Sequence, residues 1–155
     1  MIHSIAINAS DYDGPDEIFV TAQGNCCVAL YDIKAIGNNS NKVTKVRKDR
    51  DKKVERASQN NPQNGPCLWM SDVSGLGHTG CVNSAAFMPN THGRKLLSGG
   101  NDGKFCIWDW QTQSIPAALL YHKRKINWVT VGNGILNVDA IIADVRGKLI
   151  AVDIQ

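Results

Sequence analysis

The chain lacks the features that mark membrane, secreted and zinc-binding proteins. It has no run approaching the ~20 apolar residues that a membrane-spanning helix needs, and residues 1–4 show no charged-then-apolar signal pattern. Its five cysteines form no C-x-x-C pair, and an odd number spread along the chain does not fit a disulfide framework. We therefore expect an intracellular protein, in the cytoplasm and/or the nucleus, with reduced thiols and no membrane partner.

Neither net charge nor ligand spacing indicates a polyanion or a metal as a partner of the whole chain. Seventeen Lys and Arg against fourteen Asp and Glu give a net charge of +3, too small to mark the whole molecule as a polyanion binder. His78 and Cys81 have the only metal-like spacing, and two ligands fall short of the ~4 donors of a structural zinc site. We expect no metal and no cofactor.

What the chain does contain is a pattern that recurs in three segments. Each segment ends in an apolar or aromatic residue followed by Asp, namely Tyr31-Asp32, Trp108-Asp109 and Val152-Asp153. At one equal spacing before these ends, alternating apolar runs begin at Ile5, Val82 and Ile126. At a second, shorter spacing, apolar stretches end at Thr21, Ser98 and Ile142. Turn sequences separate the runs, so each segment is predicted to contain three short strands.

A fourth strand is predicted for each unit. Leu68-Trp69-Met70 precedes the second unit, and the apolar residues 117–121 precede the third. The separation of Val82 and Ile126 falls within the ~40–45 residues of a four-stranded propeller blade. The sequence therefore predicts an all-β fold of about three four-stranded antiparallel blades, at that ~40–45-residue period.

The separation between the first and second units is longer, and the excess corresponds to a polar insertion at residues 34–66. Within it, the cations outnumber the acids, as eight Lys and Arg minus three Asp and Glu over residues 41–56 give +5. The residues that carry this basic insertion are Lys45, Arg47, Lys48, Arg50, Lys52 and Lys53. Such a run serves nuclear import or phosphate contact, or it is simply solvated, and here it lacks the interleaved aromatics that stack on bases. We expect the insertion to be disordered.

The second unit carries four short motifs at fixed spacing: Gly77-His78, Leu97-Ser98-Gly99-Gly100, Asn101-Asp102-Gly103 and Ile107-Trp108-Asp109. Together they resemble a complete WD repeat, and the other two units resemble it in weaker form. The resemblance to the WD-repeat β-propeller family covers about residues 2–32 and 75–154. It implies a partial propeller over residues 1–155, with a blade at 1–33, a flexible insertion at 34–66, a blade at 75–116 and an incomplete last blade at 117–155.

For the second unit the resemblance implies a hydrogen-bonded tetrad of His78, Ser98, Asp102 and Trp108. Buried polar groups need partners, and a chain of Trp N–H, Ser hydroxyl, imidazole and carboxylate satisfies all of them. A hydrolase triad is the alternative for His78, Ser98 and Asp102, but no G-x-S-x-G elbow surrounds the serine. We expect a structural network and no catalytic residue. In the third unit only His122 keeps its place.

The resemblance also indicates a surface for partners. Five residues would lie near the face that WD-repeat proteins use for binding: Cys81, Asn83, Asn101, Lys125 and Asn127. The alternative is that they are ordinary loop residues. Because a fold alone does not determine function, we argue function from these loops. The expected function is a non-catalytic scaffold for protein–protein interaction, with no small-molecule substrate.

The resemblance further implies a role as a substrate receptor of a cullin-RING ubiquitin ligase, with a ligase adaptor as partner. That role is usually tied to Asp-x-Arg after the Trp, whereas Trp108-Asp109-Trp110-Gln111 ends without the Arg. A rival hypothesis is a nuclear adaptor that binds nucleic acid or chromatin through the basic insertion, although we expect nucleic acid to be the less favoured partner.

The number of blades raises a question of completeness. Without the insertion the chain holds about three blades, whereas closed propellers have about four to eight. The last blade lacks its outer strand, and Met1 stands where the tetrad histidine of the first unit would be. We expect a truncated form with a natural C-terminus and an internal N-terminus.

Overall fold

The structure is a computed structural model that describes residues 1–7, 18–33, 67–71, 76–89, 91–112, 116–132 and 139–154. These residues form eleven strands: β1 Ile2–Ile7, β2 Ile18–Gln23, β3 Val28–Asp32, β4 Cys67–Met70, β5 Val82–Phe87, β6 Lys95–Gly100, β7 Lys104–Asp109, β8 Ala118–Tyr121, β9 Ile126–Val131, β10 Ala140–Asp144 and β11 Leu149–Val152. The basic insertion, including Lys45, Arg47, Lys48, Arg50, Lys52 and Lys53, lies outside the described residues.

The strands form three antiparallel sheets. The first has the order β1-β2-β3-β4, the second β5-β6-β7-β8 and the third β11-β10-β9. Every pairing is between strands adjacent in sequence, so each sheet is a simple meander. The predicted all-β fold is confirmed, and the sheets are consistent with incomplete propeller blades. The described residues form no closed ring of sheets.

The outermost strands join the sheet that precedes them in the chain. β4 pairs with β3 through Leu30 and Trp69, which places it in the first sheet. β8 pairs with β7 through Cys106 and Leu119, so a strand within the predicted last unit, 117–155, belongs to the second sheet. The third sheet has three strands in the described part of the chain.

The second sheet is buried on both faces because it lies between the other two. On β6, Leu96 packs into the core shared with the first sheet, while the adjacent Leu97 packs into the core shared with the third. On β7, Trp108 belongs to the first of these cores and Phe105 to the second. Each such fully buried large side chain stabilises the fold by about 1.5–3 kcal/mol.

Hydrogen bonds link the first strands of neighbouring sheets. The amide of Ala85 on β5 donates to Oγ of Ser4 on β1 at 3.2 Å, and Oγ of Ser84 donates to the carbonyl of Val129 on β9 at 3.3 Å. Ser84 is fully buried, so its hydroxyl gains a partner it would otherwise lack. These bonds and the two cores hold the three sheets side by side.

One end of the sheets repeats the same backbone contact three times. The first residue after β2, β6 and β10 donates its amide hydrogen to the carbonyl just before β1, β5 and β9: Gly24 to Met1 at 2.8 Å, Asn101 to Cys81 at 2.8 Å, and Val145 to Lys125 at 3.1 Å. These contacts make the three units structurally equivalent at this end. We call it the turn face, formed by residues 24–27, 76–81, 101–103, 122–125 and 145–148.

No helix among the described residues is long and apolar enough to cross a membrane.

Candidate functional site

The four residues predicted as a tetrad form one chain of hydrogen bonds in the second sheet. Nε1 of Trp108 donates to Oγ of Ser98 at 2.7 Å, and that Oγ lies 2.7 Å from Nε2 of His78. Nδ1 of His78 lies 3.1 Å from one carboxylate oxygen of Asp102 and 3.2 Å from the other. The tetrad therefore connects four elements: the loop before β5, strand β6, strand β7 and the turn between β6 and β7.

The donors and acceptors fix the direction of this chain. The indole N–H can only donate, so Ser98 accepts it and donates its own hydroxyl hydrogen to Nε2 of His78. The imidazole then carries its hydrogen on Nδ1 and donates it to Asp102. Every polar group of the tetrad has a partner, which is the condition for burying such a network without loss of stability.

Asp102 is the anchor of the network. It also accepts the amide hydrogens of Thr79 at 2.7 Å and Lys104 at 3.0 Å, so it ties the loop before β5 to the turn after β6. Burial alone would raise its pKa, but the hydrogen bonds from His78 and the two amides lower the pKa of Asp102 to about 2.

The geometry resembles a Ser-His-Asp triad, but its surroundings prevent the chemistry of one. Ser98 has no exposed surface, and His78 is only 1% exposed. The indole of Trp108 also occupies the serine oxygen. A nucleophile has to reach the substrate atom that it attacks, so this serine cannot act in the described conformation. The set instead links β6, β7, the turn between them and the loop before β5.

The third sheet carries a His–Asp pair that the sequence reasoning missed. Nε2 of His122 lies 3.2 Å from Oδ2 of the buried Asp144. Oδ1 of Asp144 accepts the amide hydrogens of Arg146 at 2.8 Å and Lys148 at 3.0 Å. Burial favours the neutral acid, but these amides, with His122 and Arg124, hold the pKa of Asp144 well below its usual range.

The sequence feature that could have indicated this pair is an Asp two residues before the position that corresponds to Asp102. His122 precedes Lys125 as His78 precedes Cys81, whereas Asp144 stands at the position of Gly100 and not at that of Asp102. A Cβ added to Gly100 would meet Nδ1 of His78 at 2.9 Å and Oδ1 of Asp102 at 3.0 Å. A side chain from that position therefore enters the same space as the Asp102 carboxylate.

The first sheet has a neutral version of the network. Gln23, at the position of Gly100, donates from Nε2 to Oγ1 of Thr21 at 3.0 Å and to the hydroxyl of Tyr31 at 3.2 Å. Thr21 in turn donates to the carbonyl of Ala29 at 3.4 Å. Thr21 and Tyr31 stand where Ser98 and Trp108 stand in the second sheet, so β2 and β3 are joined without a histidine or an acid.

Of the five residues predicted to bind partners, two link neighbouring sheets and three are exposed, one of these on β9. Sγ of Cys81 donates to the carbonyl of Gly24 at 3.1 Å, which links the first and second sheets. Nδ2 of Asn83 donates to Oδ1 of Asn101 at 2.9 Å and to the carbonyl of Ile126 at 2.8 Å, which links the second and third sheets. Asn101, Lys125 and Asn127 are exposed on or beside the turn face.

The opposite end of the second sheet is closed by a separate pair of contacts. Nε of Arg94 lies 2.9 Å from both carboxylate oxygens of Asp109, and Nε1 of Trp110 donates to the carbonyl of Gly93 at 2.7 Å. Arg94 thereby lowers the pKa of Asp109. The acid of the Trp108-Asp109 pair is thus held by an arginine from the β5–β6 loop.

The five cysteines are free thiols. Cys106 is fully buried, and burial, together with the charge of Asp102, raises the pKa of its thiol to about 12. Such a thiol is inert as a nucleophile or metal ligand. The part of the chain that the structure describes contains no group of three or more His, Cys, Asp or Glu side chains arranged to hold a metal.

Comparison with known proteins adds one partial match. Over 42 residues, or 27% of the chain, the sequence is 50% identical to Retinoblastoma-binding-like protein E of Dictyostelium discoideum. The match indicates relatives of the WD-repeat type. It spans only 8% of that protein's length, so it carries the type of repeat and not the whole protein's activity. No protein-family model matches the chain.

Proposed function

We propose that the chain is a non-catalytic WD-repeat scaffold that binds other proteins through the turn face. The observation that carries this is the enclosure of the tetrad. Among the described residues, the one triad-like set forms a buried structural network, whereas the turn face carries exposed residues such as Asn101 and Lys125 on loops held by backbone hydrogen bonds. The WD-type match and the blade-like sheets support a binding role of this kind.

A pair of matched charge substitutions tests the proposal. Asn101→Arg adds a bulky cation to the turn face, and Ala117→Arg adds the same group to an exposed position at the opposite end of the second sheet. Tagged wild-type chain and both variants are expressed in cells, and bound proteins are measured by quantitative mass spectrometry. We expect a set of proteins that the Asn101→Arg variant loses and the Ala117→Arg variant retains. Equal retention by both variants, or loss with Ala117→Arg alone, contradicts a binding role for the turn face.

We further propose, as a narrower form of the same role, that the chain is a substrate-receptor subunit of a cullin-RING ubiquitin ligase. The sequences Gly99-Gly100-Asn101-Asp102-Gly103-Lys104 and Lys125-Ile126-Asn127-Trp128 resemble the C-terminal part of WD repeat-containing protein 53. Gln111 stands where Asp-x-Arg would place its arginine, so the expected adaptor contact lacks one charge. Co-purification with the ligase adaptor tests this role. Its absence removes the ligase role and leaves the scaffold role standing.

The alternative is a nuclear adaptor that reaches nucleic acid or chromatin through the basic insertion. The observation in its favour is the excess of +5 over residues 41–56, where eight cations minus three acids leave five. Deleting residues 42–56 should then abolish nuclear accumulation of a fluorescent fusion. Unchanged localisation, in the cytoplasm or the nucleus, contradicts this alternative.

A further inference from the structure

Positive charge is concentrated at the turn-face end of the third sheet, separate from both the tetrad and the basic insertion. Five cations lie on the two loops of its turn face and are all exposed: Lys123, Arg124, Lys125, Arg146 and Lys148. The only acid in these loops or at their ends is the buried Asp144, so five minus one leaves +4. We call Lys123, Lys125, Arg146 and Lys148 the basic loop patch, because Arg124 already pairs with Asp144 at 3.4 Å.

The patch is presented by loops that are held in place. The amide of Val145 donates to the carbonyl of Lys125 at 3.1 Å, which fixes one loop against the other. The buried Asp144 accepts the amide hydrogens of Arg146 and Lys148 and contacts His122 on the neighbouring loop. Loops fixed in this way lose little conformational freedom when they bind a partner, which favours affinity.

The distribution of charge distinguishes between possible anionic partners. The equivalent turns of the first and second sheets, residues 24–27 and 101–104, carry one cation, Lys104, and it is buried. A polynucleotide needs a track of cations along its backbone, and the described turn face has no such track beyond the third sheet. The patch instead spans three strands, about 10 Å at ~4.8 Å between strands, which matches about three residues of an extended peptide.

An apolar side chain lies beside the patch. Trp128 on β9 follows Lys125 by three residues and is 55% exposed. It pairs with Ala143, the residue just before Asp144, which places it one residue pair from the end of the sheet that carries the cations. Its counterpart in the second sheet is Ser84, which contacts the neighbouring sheet, so Trp128 lies on the free face of the third sheet. Trp and Arg are among the residues that most often anchor a partner in a protein interface.

We propose that the basic loop patch, with Trp128 at its edge, binds a short acidic protein segment that carries one apolar side chain. The inference rests on the proposed scaffold function and names the chemistry of a partner. Carboxylates of the segment pair with Lys125 and Arg146 at the centre of the patch, and the apolar side chain covers Trp128. Complementary charge sets the register and the association rate of such a contact.

Fluorescence anisotropy of labelled synthetic peptides tests the proposal with the full chain. The probe is a peptide of four glutamates around one leucine, measured at low and at physiological salt. Lys125→Glu/Arg146→Glu reverses the centre of the patch, and Lys52→Glu/Lys53→Glu makes the same change of net charge in the insertion. We expect the first double variant to bind at least about tenfold more weakly, the sum of two lost surface pairs and their repulsion, and the second to bind within about twofold.

A second variant examines the apolar contact. Trp128→Ala should weaken binding of the leucine-containing peptide and leave binding of an all-glutamate peptide unchanged, while circular dichroism verifies that each variant keeps its β spectrum. Equal affinities for wild type and the Lys125→Glu/Arg146→Glu variant overturn the proposal. So does equal weakening by the insertion variant, or tighter binding of a single-stranded oligonucleotide of matching charge through the same residues.

The failure of this inference is separable from failure of the scaffold function. Asn101 lies on the second sheet, outside the basic loop patch. If the acidic peptide does not bind but the Asn101→Arg variant still loses its proteins, only the inference about the partner is wrong. If neither effect is seen, the scaffold function is wrong as well.

Discussion

Nε2 of His122 lies 3.2 Å from Oδ2 of Asp144, and this pair is the third sheet's counterpart of His78 and Asp102, although His78 faces its acid with Nδ1. The two histidines hold equivalent positions, whereas the two acids enter from positions two residues apart in the β-turn region. Gly100 leaves room for the carboxylate of Asp102, and Asp144 supplies a carboxylate from the position of Gly100 itself. In both sheets a carboxylate therefore lies beside the histidine, but it comes from a different sequence position in each.

Removal of the Asp144 carboxylate should destabilise the third sheet. Asp144→Ala leaves the amides of Arg146 and Lys148 without their acceptor, and we expect a loss of about 1–3 kcal/mol in the free energy of unfolding. Asp144→Asn keeps an acceptor oxygen at the Oδ1 position, to which both amides donate, and should cost less than half as much. Urea denaturation followed by circular dichroism measures both. Equal losses for the two variants contradict the assigned role of Oδ1.

The ionisation of Asp102 should make stability depend on pH in acid. Its pKa is about 2 in the folded protein against an ordinary 3.8, so the unfolded state takes up protons first as the pH falls. The contribution of Asp102 is therefore complete above pH ~4 and is lost between about pH 4 and about pH 2. The measurement is the difference in unfolding free energy between wild type and Asp102→Asn across this range. A difference that stays constant down to pH 2 contradicts the lowered pKa.

The tetrad should respond unequally to removal of its members. Ser98→Ala leaves both the Trp108 N–H and the His78 nitrogen unpaired in a buried site, at about 1–3 kcal/mol for each unsatisfied group. Trp108→Phe removes one donor, for which we expect about 0.5–1.5 kcal/mol, and the smaller ring adds a packing loss because Trp108 is fully buried.

The double variant provides the control for this comparison. Because Ser98 and Trp108 share one bond, Ser98→Ala/Trp108→Phe should cost less than the sum of the two single variants. Urea unfolding curves of the three variants give the coupling. Strict additivity would show that the two side chains do not act through their hydrogen bond.

The strands of the second sheet were predictable from the sequence. Continuous apolar runs on β6 and β7 are typical of strands that are buried on both faces, and the turn residues between them indicate where each strand ends. The tetrad was predicted through the resemblance of the second unit to a WD repeat, and the need of buried polar groups for partners explains why its four members bond to one another.

The remaining features depend on tertiary packing that periodicity does not report. Nothing in residues 67–70 specifies that β4 pairs with β3 across a long separation in sequence. Asp144 was missed because a shift of two residues leaves strand periodicity unchanged while it moves the carboxylate into the strand end. The basic loop patch joins two loops that are distant in sequence, so its charge appears only when the strands are paired.

The tight turns of the second and third sheets offer a matched test of crowding at the turn face. Gly103 and Gly147 hold equivalent positions with φ of +75° and +77°, the left-handed region that side chains disfavour. A Cβ on Gly147 meets nothing within 4 Å, whereas one on Gly103 overlaps the backbone oxygen of His122.

Gly147→Ala and Gly103→Ala should therefore separate backbone strain from steric overlap. We expect Gly147→Ala to cost about 1–2 kcal/mol, the strain of a left-handed alanine alone. Gly103→Ala carries the same strain and must also displace the His122 carbonyl, which adds about 1–3 kcal/mol. The amide of His122 donates to the Gly103 carbonyl at 2.8 Å, so this displacement also disturbs the start of the loop that bears the basic patch. Unfolding midpoints and slopes in urea measure both variants, and equal losses would mean that the loop before β9 yields freely to the added methyl group.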